Sequence, residues 1–170
     1  MLYLFHYSVF FYIYFFIIFP LWKERTKENL FVHVIMFVYL LILLTMTVIP
    51  LPNFISYKGS LFYKSVNFIP FRDVFYGYTH AKREVLLNII MMIPFGFLLP
   101  LTIQKQSLMT TLLTSICLSV SIETIQLFTI WFNSVNQRVP DVTDVITNTT
   151  GGIIGYCFYR IVLHVKKHPI

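Results

Sequence analysis

Charge is scarce in this chain of 170 residues. Only 12% of them are Asp, Glu, Lys or Arg, where a soluble domain carries roughly 25%. The shortage is greatest for acids, 7 against 13 Lys and Arg. With 57% apolar residues, so little charge leaves too few polar groups for a water-exposed surface, which points to lipid as the solvent. Alanine occurs once beside 18 Phe, a bias that AT-rich coding would produce. Cysteine is limited to Cys117 and Cys157, each inside an apolar run. Two such residues make neither a disulfide framework nor a CxxC metal pattern, and they read as small buried apolar side chains. Phosphate-binding glycine loops, HExxH and GxSxG are missing. His6 and His33 stand alone among Phe, Tyr and Val, which suits interfacial or interhelical positions better than metal ligation. The formal charge of +6 does not indicate nucleic acid, because the basic residues flank apolar runs instead of forming a patch.

What the chain has in abundance is apolar runs. A helix of about 20 apolar residues crosses the hydrocarbon core, and five stretches qualify: residues 2–21, 30–51, 85–103, 108–132 and 145–165. The first lacks the basic start and small-residue cleavage site of a signal peptide and is too long for one, so it reads as a retained helix. The expected fold class is an all-α integral membrane bundle of about five helices. Residues 1–29 form an additional N-terminal helix with a short basic loop, and residues 30–165 form the main membrane domain. Lys23, Arg25 and Lys27 follow the first run, Lys105 follows the third, and Lys166 and Lys167 follow the fifth. Placing these on the cytoplasmic side puts the N-terminus outside, the C-terminus inside, and both residues 52–84 and residues 133–144 outside. Lys58, Lys64, Arg72, Lys82 and Arg83 in the long connection pull the other way, and the short loops decide. Between residues 53 and 78 that connection interleaves Phe and Tyr with Lys and Arg. Such a pattern favours the headgroup level, so it is expected to lie along the membrane surface and cap the bundle.

Polar residues then appear where lipid forbids them. Ser115, Ser119, Glu123 and Gln126 share one face of the fourth helix. With a rise of about 1.5 Å per residue, Glu123 lies roughly 13 Å below the outer helix end. A charge in the hydrocarbon costs about 2.5–3.5 kcal/mol on insertion scales, so partners are required, with Arg138 or Arg72 the expected ones. Asn88 lies near the outer end of the third helix, followed by Pro94 and Gly96. Asp141 and Asp144 open the fifth helix, with Asn148 one turn later, and Thr147, Gly151 and Gly155 make a small-residue ridge for close helix approach. Asn67 and Arg72 come from the connection. Asn88, Gln126 and Asn148 fit interhelical packing as well as binding, and Asp141 fits helix capping as well. A carboxylate at 123 is more than packing requires.

Three blocks carry a resemblance to a known family: VNFIPFRD at 66–73, LLNIIMMIPFGFLLPL at 86–101, and SIETIQLF at 121–128 continuing through QRVPDVTDVITNTTGGIIGY to residue 156. Over residues 60–160 the chain resembles the VanZ-like family of bacterial membrane proteins. By position the shared motif falls on Asn67, Pro70, Phe71, Asn88, Pro94, Gly96, Glu123, Gln126, Arg138, Asp141, Asp144, Asn148, Gly151 and Gly152. The resemblance implies a cell-envelope role, because the name-giving member is associated with resistance to the glycopeptide teicoplanin. Three activities stay open. One is binding of membrane lipid, a lipid-linked cell-wall precursor or a lipoglycopeptide, with Arg72 and Arg138 on phosphate. Another is an intramembrane enzyme using Glu123 and Asp144 as acid and base. The third is transport, disfavoured because no inverted repeat is visible. No cofactor is indicated, and a divalent cation on Glu123, Asp141 and Asp144 is the lesser alternative to a metal-free site.

Overall fold

The computed structural model describes residues 27–48, 66–103, 107–133 and 140–167. The expected first helix, residues 53–65 of the aromatic connection, and Arg138 lie outside the described residues. Four long helices and one short turn follow in order: α1 Lys27–Val48, α2 Arg72–Phe75, α3 Ala81–Thr102, α4 Leu108–Asn133 and α5 Val142–Lys167. The class is all-α, with one isolated parallel bridge between Asn67 and Asp141.

Among the described residues three stretches are long and apolar enough to cross a bilayer: Leu30–Thr47, Ala81–Thr102 and Leu108–Leu127. α5 is long enough but more polar, and the reason lies in its position. It packs most extensively on α3 and next on α4, and its buried residues are Thr143, Thr147, Asn148, Gly151, Gly152, Gly155, Tyr156 and Tyr159. A helix face packed on protein can carry small and polar side chains that a lipid-facing one cannot. α3 starts at Ala81, not at 85, and takes Lys82, Arg83 and Glu84 into its first turn.

In a bilayer helices gain little by hiding apolar surface from one another, so close packing and interhelical hydrogen bonds hold the bundle. Met36 and Leu43 from α1 meet Met92, Phe95 and Leu99 from α3 and Ile122 from α4 in one buried cluster. On the adjoining face of α3 the glycines take over. A Cβ on Gly96 would collide with the backbone of Gly152, and one on Gly155 would collide with the Ile93 carbonyl and the Phe97 amide.

Pro94 lies inside α3 and deprives the Ile90 carbonyl of its helical donor. One residue along, the Tyr39 hydroxyl of α1 donates to the Met91 carbonyl at 2.8 Å. A neighbouring helix thus satisfies backbone where the proline loosens the ladder. Tyr39→Phe is expected to cost about 1 kcal/mol, read as a lowered unfolding midpoint in detergent with the helix content of the folded state unchanged.

Cys117 and Cys157 correct the reading from sequence: both are free thiols on the exposed surface. A position facing acyl chains is already apolar, so a small apolar side chain there needs no burial in protein. His33, by contrast, is buried in α1, as an interhelical position implies.

Candidate functional site

The chain from Asn67 to Glu84, the C-terminal parts of α1 and α4, and the N-terminal ends of α3 and α5 meet at one end of the bundle. The organising feature is the start of α5. A helix begins with backbone N–H groups that have no partner within the helix. Asp141 stands immediately before α5, and its Oδ1 accepts the Thr143 N–H at 2.7 Å, the contact of an N-cap. Its Oδ2 accepts from Asn67 Nδ2 at 2.8 Å. Both oxygens of Asp141 are therefore committed.

Glu123 answers the puzzle of a carboxylate in an apolar helix. Its Oε2 accepts the backbone N–H of Asp141 at 3.0 Å. In a capping box, a glutamate three residues into the helix reaches back to the N-cap amide. Here a glutamate on α4 does that from across the bundle, so the first amides of α5 are satisfied by two acids from two elements. The positive end of the helix dipole favours both. Of the expected cationic partners, Arg72 is exposed and its guanidinium lies 5.9 Å from the Tyr76 ring centre, and Arg138 falls outside the described residues.

The NFIPF segment is tied to the same point. Asn67 N–H donates to the Pro140 carbonyl at 2.9 Å and its carbonyl accepts from Val142 N–H at 3.0 Å, a one-residue parallel bridge. Four residues on, Phe71 adopts φ 56° and ψ 19°, the left-handed region that a non-glycine residue enters at a cost of about 1–3 kcal/mol. Its N–H donates to Thr143 Oγ1 at 2.9 Å, which fixes the reversal. The chain thus turns sharply just after the bridge and starts α2.

The remaining polar residues pair between helices. Asn88 of α3 donates to Asp144 Oδ1 at 2.7 Å, and Asn148 of α5 donates to Ser119 Oγ of α4 at 2.9 Å. Gln126 departs from the group, donating from Nε2 to the Thr47 carbonyl at 2.8 Å. It thereby satisfies one of the terminal carbonyls of α1. The expected set thus divides. Asn67, Asn88, Glu123, Asp141, Asp144 and Asn148 lie around the start of α5, Gln126 binds α1, and Arg72 points outward.

Beside the start of α5 lies a small open cleft whose walls include Asp73, Glu84, Asp141 and Asp144, together with Thr143 and Val85. Four of the chain's 7 acids share it. Glu123 is not in its wall; it stands behind Asp141 and holds the amide of that residue. Asp73 and Glu84 are site residues that the sequence reading did not select. Glu84 stands four residues before Asn88, as Asp144 stands four before Asn148, and that repeated spacing was the available signal. Asp73 had no such signal, because only the reversal at Phe71 carries it into the cleft. Among the described residues no three acidic, His or Cys side chains are grouped to hold a metal ion.

Residues 36–163 match the VanZ/LLP1 family, and the chain belongs to that family. The match takes in α3 and α4 whole, α1 from Met36 onward, most of α5, the NFIPF bridge and the cleft residues. Protein VanZ of Enterococcus faecium is 34% identical over 99 residues, which are 58% of this chain and 54% of that protein. The chain thus spans about half the length of the curated relative it matches. No solved structure matches.

Proposed function

We propose that this VanZ/LLP1 family member works in the bacterial cell envelope, at the outer face of the membrane. There it contributes to low-level resistance to teicoplanin-type glycopeptides through the polar pocket around Glu123 and Asp141. The observation that carries the reading is convergence. Glu123, Asp141, Asn67, Asn88 and Asp144 come from three helices and two connections, yet hydrogen bonds join them at one end of the bundle, beside an open cleft. A polar assembly of this size is costly next to hydrocarbon and exceeds what helix pairing demands. The basic residues Lys166 and Lys167 end α5 at its other terminus, which supports placing the cleft outside. The cleft's carboxylates suit a cationic group on its ligand, an amine of a lipid-linked precursor or of the lipoglycopeptide itself.

A second reading takes the chain as an intramembrane enzyme acting on a lipid-linked envelope substrate, with Glu123 and Asp144 as acid and base. It is favoured by Asp144 lining the cleft with Asn88 holding one oxygen, an arrangement that orients a carboxylate as general acid–base chemistry requires. Teicoplanin susceptibility of a sensitive Gram-positive host separates the possibilities. Expression of the wild type is expected to raise the inhibitory concentration, while Glu123→Gln and Asp144→Asn lose that protection at equal membrane abundance. Equal protection by all three assigns both carboxylates to packing. A wild type that never protects removes the resistance role.

A further inference from the structure

The segment from Phe68 to Arg83 has its charges sorted in a way that neither helix packing nor the cleft explains. Its acid Asp73 is half-buried and lines the cleft, as does Glu84 just past its end, which is itself exposed. Its bases stay out, with Arg72, Lys82 and Arg83 all exposed. Apart from Phe71, its largest apolar side chains are also outside. Phe68 is 78% exposed, Ile69 61%, Phe75 82% and Tyr76 71%. These residues occupy the two limbs of the reversal at Phe71, so Phe68 and Ile69 form one prong and Phe75 and Tyr76 the other. Tyr78 is exposed as well, three residues before the candidate membrane span that begins at Ala81. The prongs therefore stand at the level where hydrocarbon gives way to headgroups.

The backbone of this segment is held from beneath. The bridge at Asn67, the Asn67 bond to Asp141 and the Phe71 bond to Thr143 fix its inner side to the start of α5. None of these bonds uses the exposed aromatic side chains. A strained residue at Phe71 and three tethers maintain a shape whose outer face, among the described residues, stays exposed.

We propose that residues 68–76 form a two-pronged wedge seated in the leaflet of an anionic bilayer, with Arg72, Lys82 and Arg83 on lipid phosphates. Aromatic rings with one wet edge settle at the membrane interface, and each basic residue near an anionic leaflet adds attraction. Arg72 is placed for this role, since its guanidinium over the Tyr76 ring joins a phosphate contact to an inserted side chain. Because the wedge is tethered to Asp141 and Thr143, its seating holds the mouth of the cleft at the headgroup level. The inference stands whatever ligand the cleft takes.

Nitroxide accessibility in nanodiscs tests it. Phe68→Cys, Phe75→Cys and, as control, Val120→Cys on the exposed face of α4 are each labelled in the full chain carrying Cys117→Ser and Cys157→Ser. Nanodiscs contain phosphatidylcholine alone or with phosphatidylglycerol. Expected is collision with oxygen well above collision with a water-soluble nickel chelate at residues 68 and 75, as at residue 120. Phosphatidylglycerol should move the first two labels deeper, and Arg72→Gln, Lys82→Gln and Arg83→Gln together should abolish that shift. Nickel access of an aqueous site at 68 and 75, while 120 still reads lipid, overturns the wedge in a protein shown to be folded. Shielding from both reagents with spin–spin broadening overturns it in favour of a second copy of the chain. Equal depth in the two lipids overturns the phosphate contacts.

Discussion

Gly155→Ala is expected to destabilise the bundle by about 3 kcal/mol, at the upper end of the overpacking range. In an isolated helix the same change would stabilise by roughly 0.5–1 kcal/mol, so the sign itself is diagnostic. The reason is what the new methyl group meets. At Gly155 it meets the Ile93 carbonyl, the Phe97 amide and the Gly96 Cα, and none of these can rotate away. α3 and α5 must separate, and the backbone contact that replaces hydrophobic attraction in a membrane is lost along the whole crossing. Gly96→Ala should behave alike, because its methyl group meets the backbone of Gly152. Gly152→Ala should cost less, since the obstruction there is the Ser115 side chain. Ser115 is fully buried and its Oγ has no hydrogen-bond partner among the described residues, so Ser115→Ala loses little. The double variant Ser115→Ala, Gly152→Ala should recover part of the single-variant loss. Unfolding midpoints in detergent give the ranking, and equal costs at positions 152 and 155 would refute the backbone-contact account.

Glu123→Ala is expected to cost about 1 kcal/mol, because it strands a half-buried backbone N–H, at the lower end of the desolvation penalty of order 1–3 kcal/mol. Glu123→Gln should retain most of the stability, since a Gln carbonyl oxygen accepts the Asp141 N–H as well as a carboxylate does. Asp141→Ala should cost as much as Glu123→Ala or more. It removes an N-cap, worth typically about 1 kcal/mol, and also leaves Asn67 Nδ2 without its acceptor. Asp141 and Glu123 act on one element, so their effects should be less than additive in a double-mutant cycle. Full additivity would mean that the two acids stabilise unrelated parts of the protein. Combined with susceptibility testing, the Gln variant separates two roles of one residue. A folded protein that no longer protects shows that function needs the charge while the fold needs only the acceptor.

Much of this protein was legible without coordinates. Low charge and long apolar runs require lipid, and a chain in lipid must satisfy its backbone internally, which leaves helices as the choice for these segments. The order Asn67, Asn88, Glu123, Asp141, Asp144, Asn148 was legible because polar side chains stand out where each one is expensive. Pairing was not legible, since it depends on how the helices cross. Glu123 accepts an amide at the start of α5, and no spacing in the sequence shows which helix end will arrive. Gln126, only three residues from Glu123, binds α1 because the face of α4 turns far enough over that distance to reach a different neighbour. The exposed cysteines show the limit of composition: an apolar side chain reads the same toward lipid as toward protein. The sequence by itself determined the apolar solvent and the long helices among the described residues, and it singled out polar residues that meet at one end of the bundle. Tertiary structure alone decided which carboxylate caps, which lines the cleft and which aromatic side chains face out. Those choices follow from the close backbone crossing of α3 and α5 and from the reversal at Phe71, and both are properties of the packed bundle rather than of any one segment.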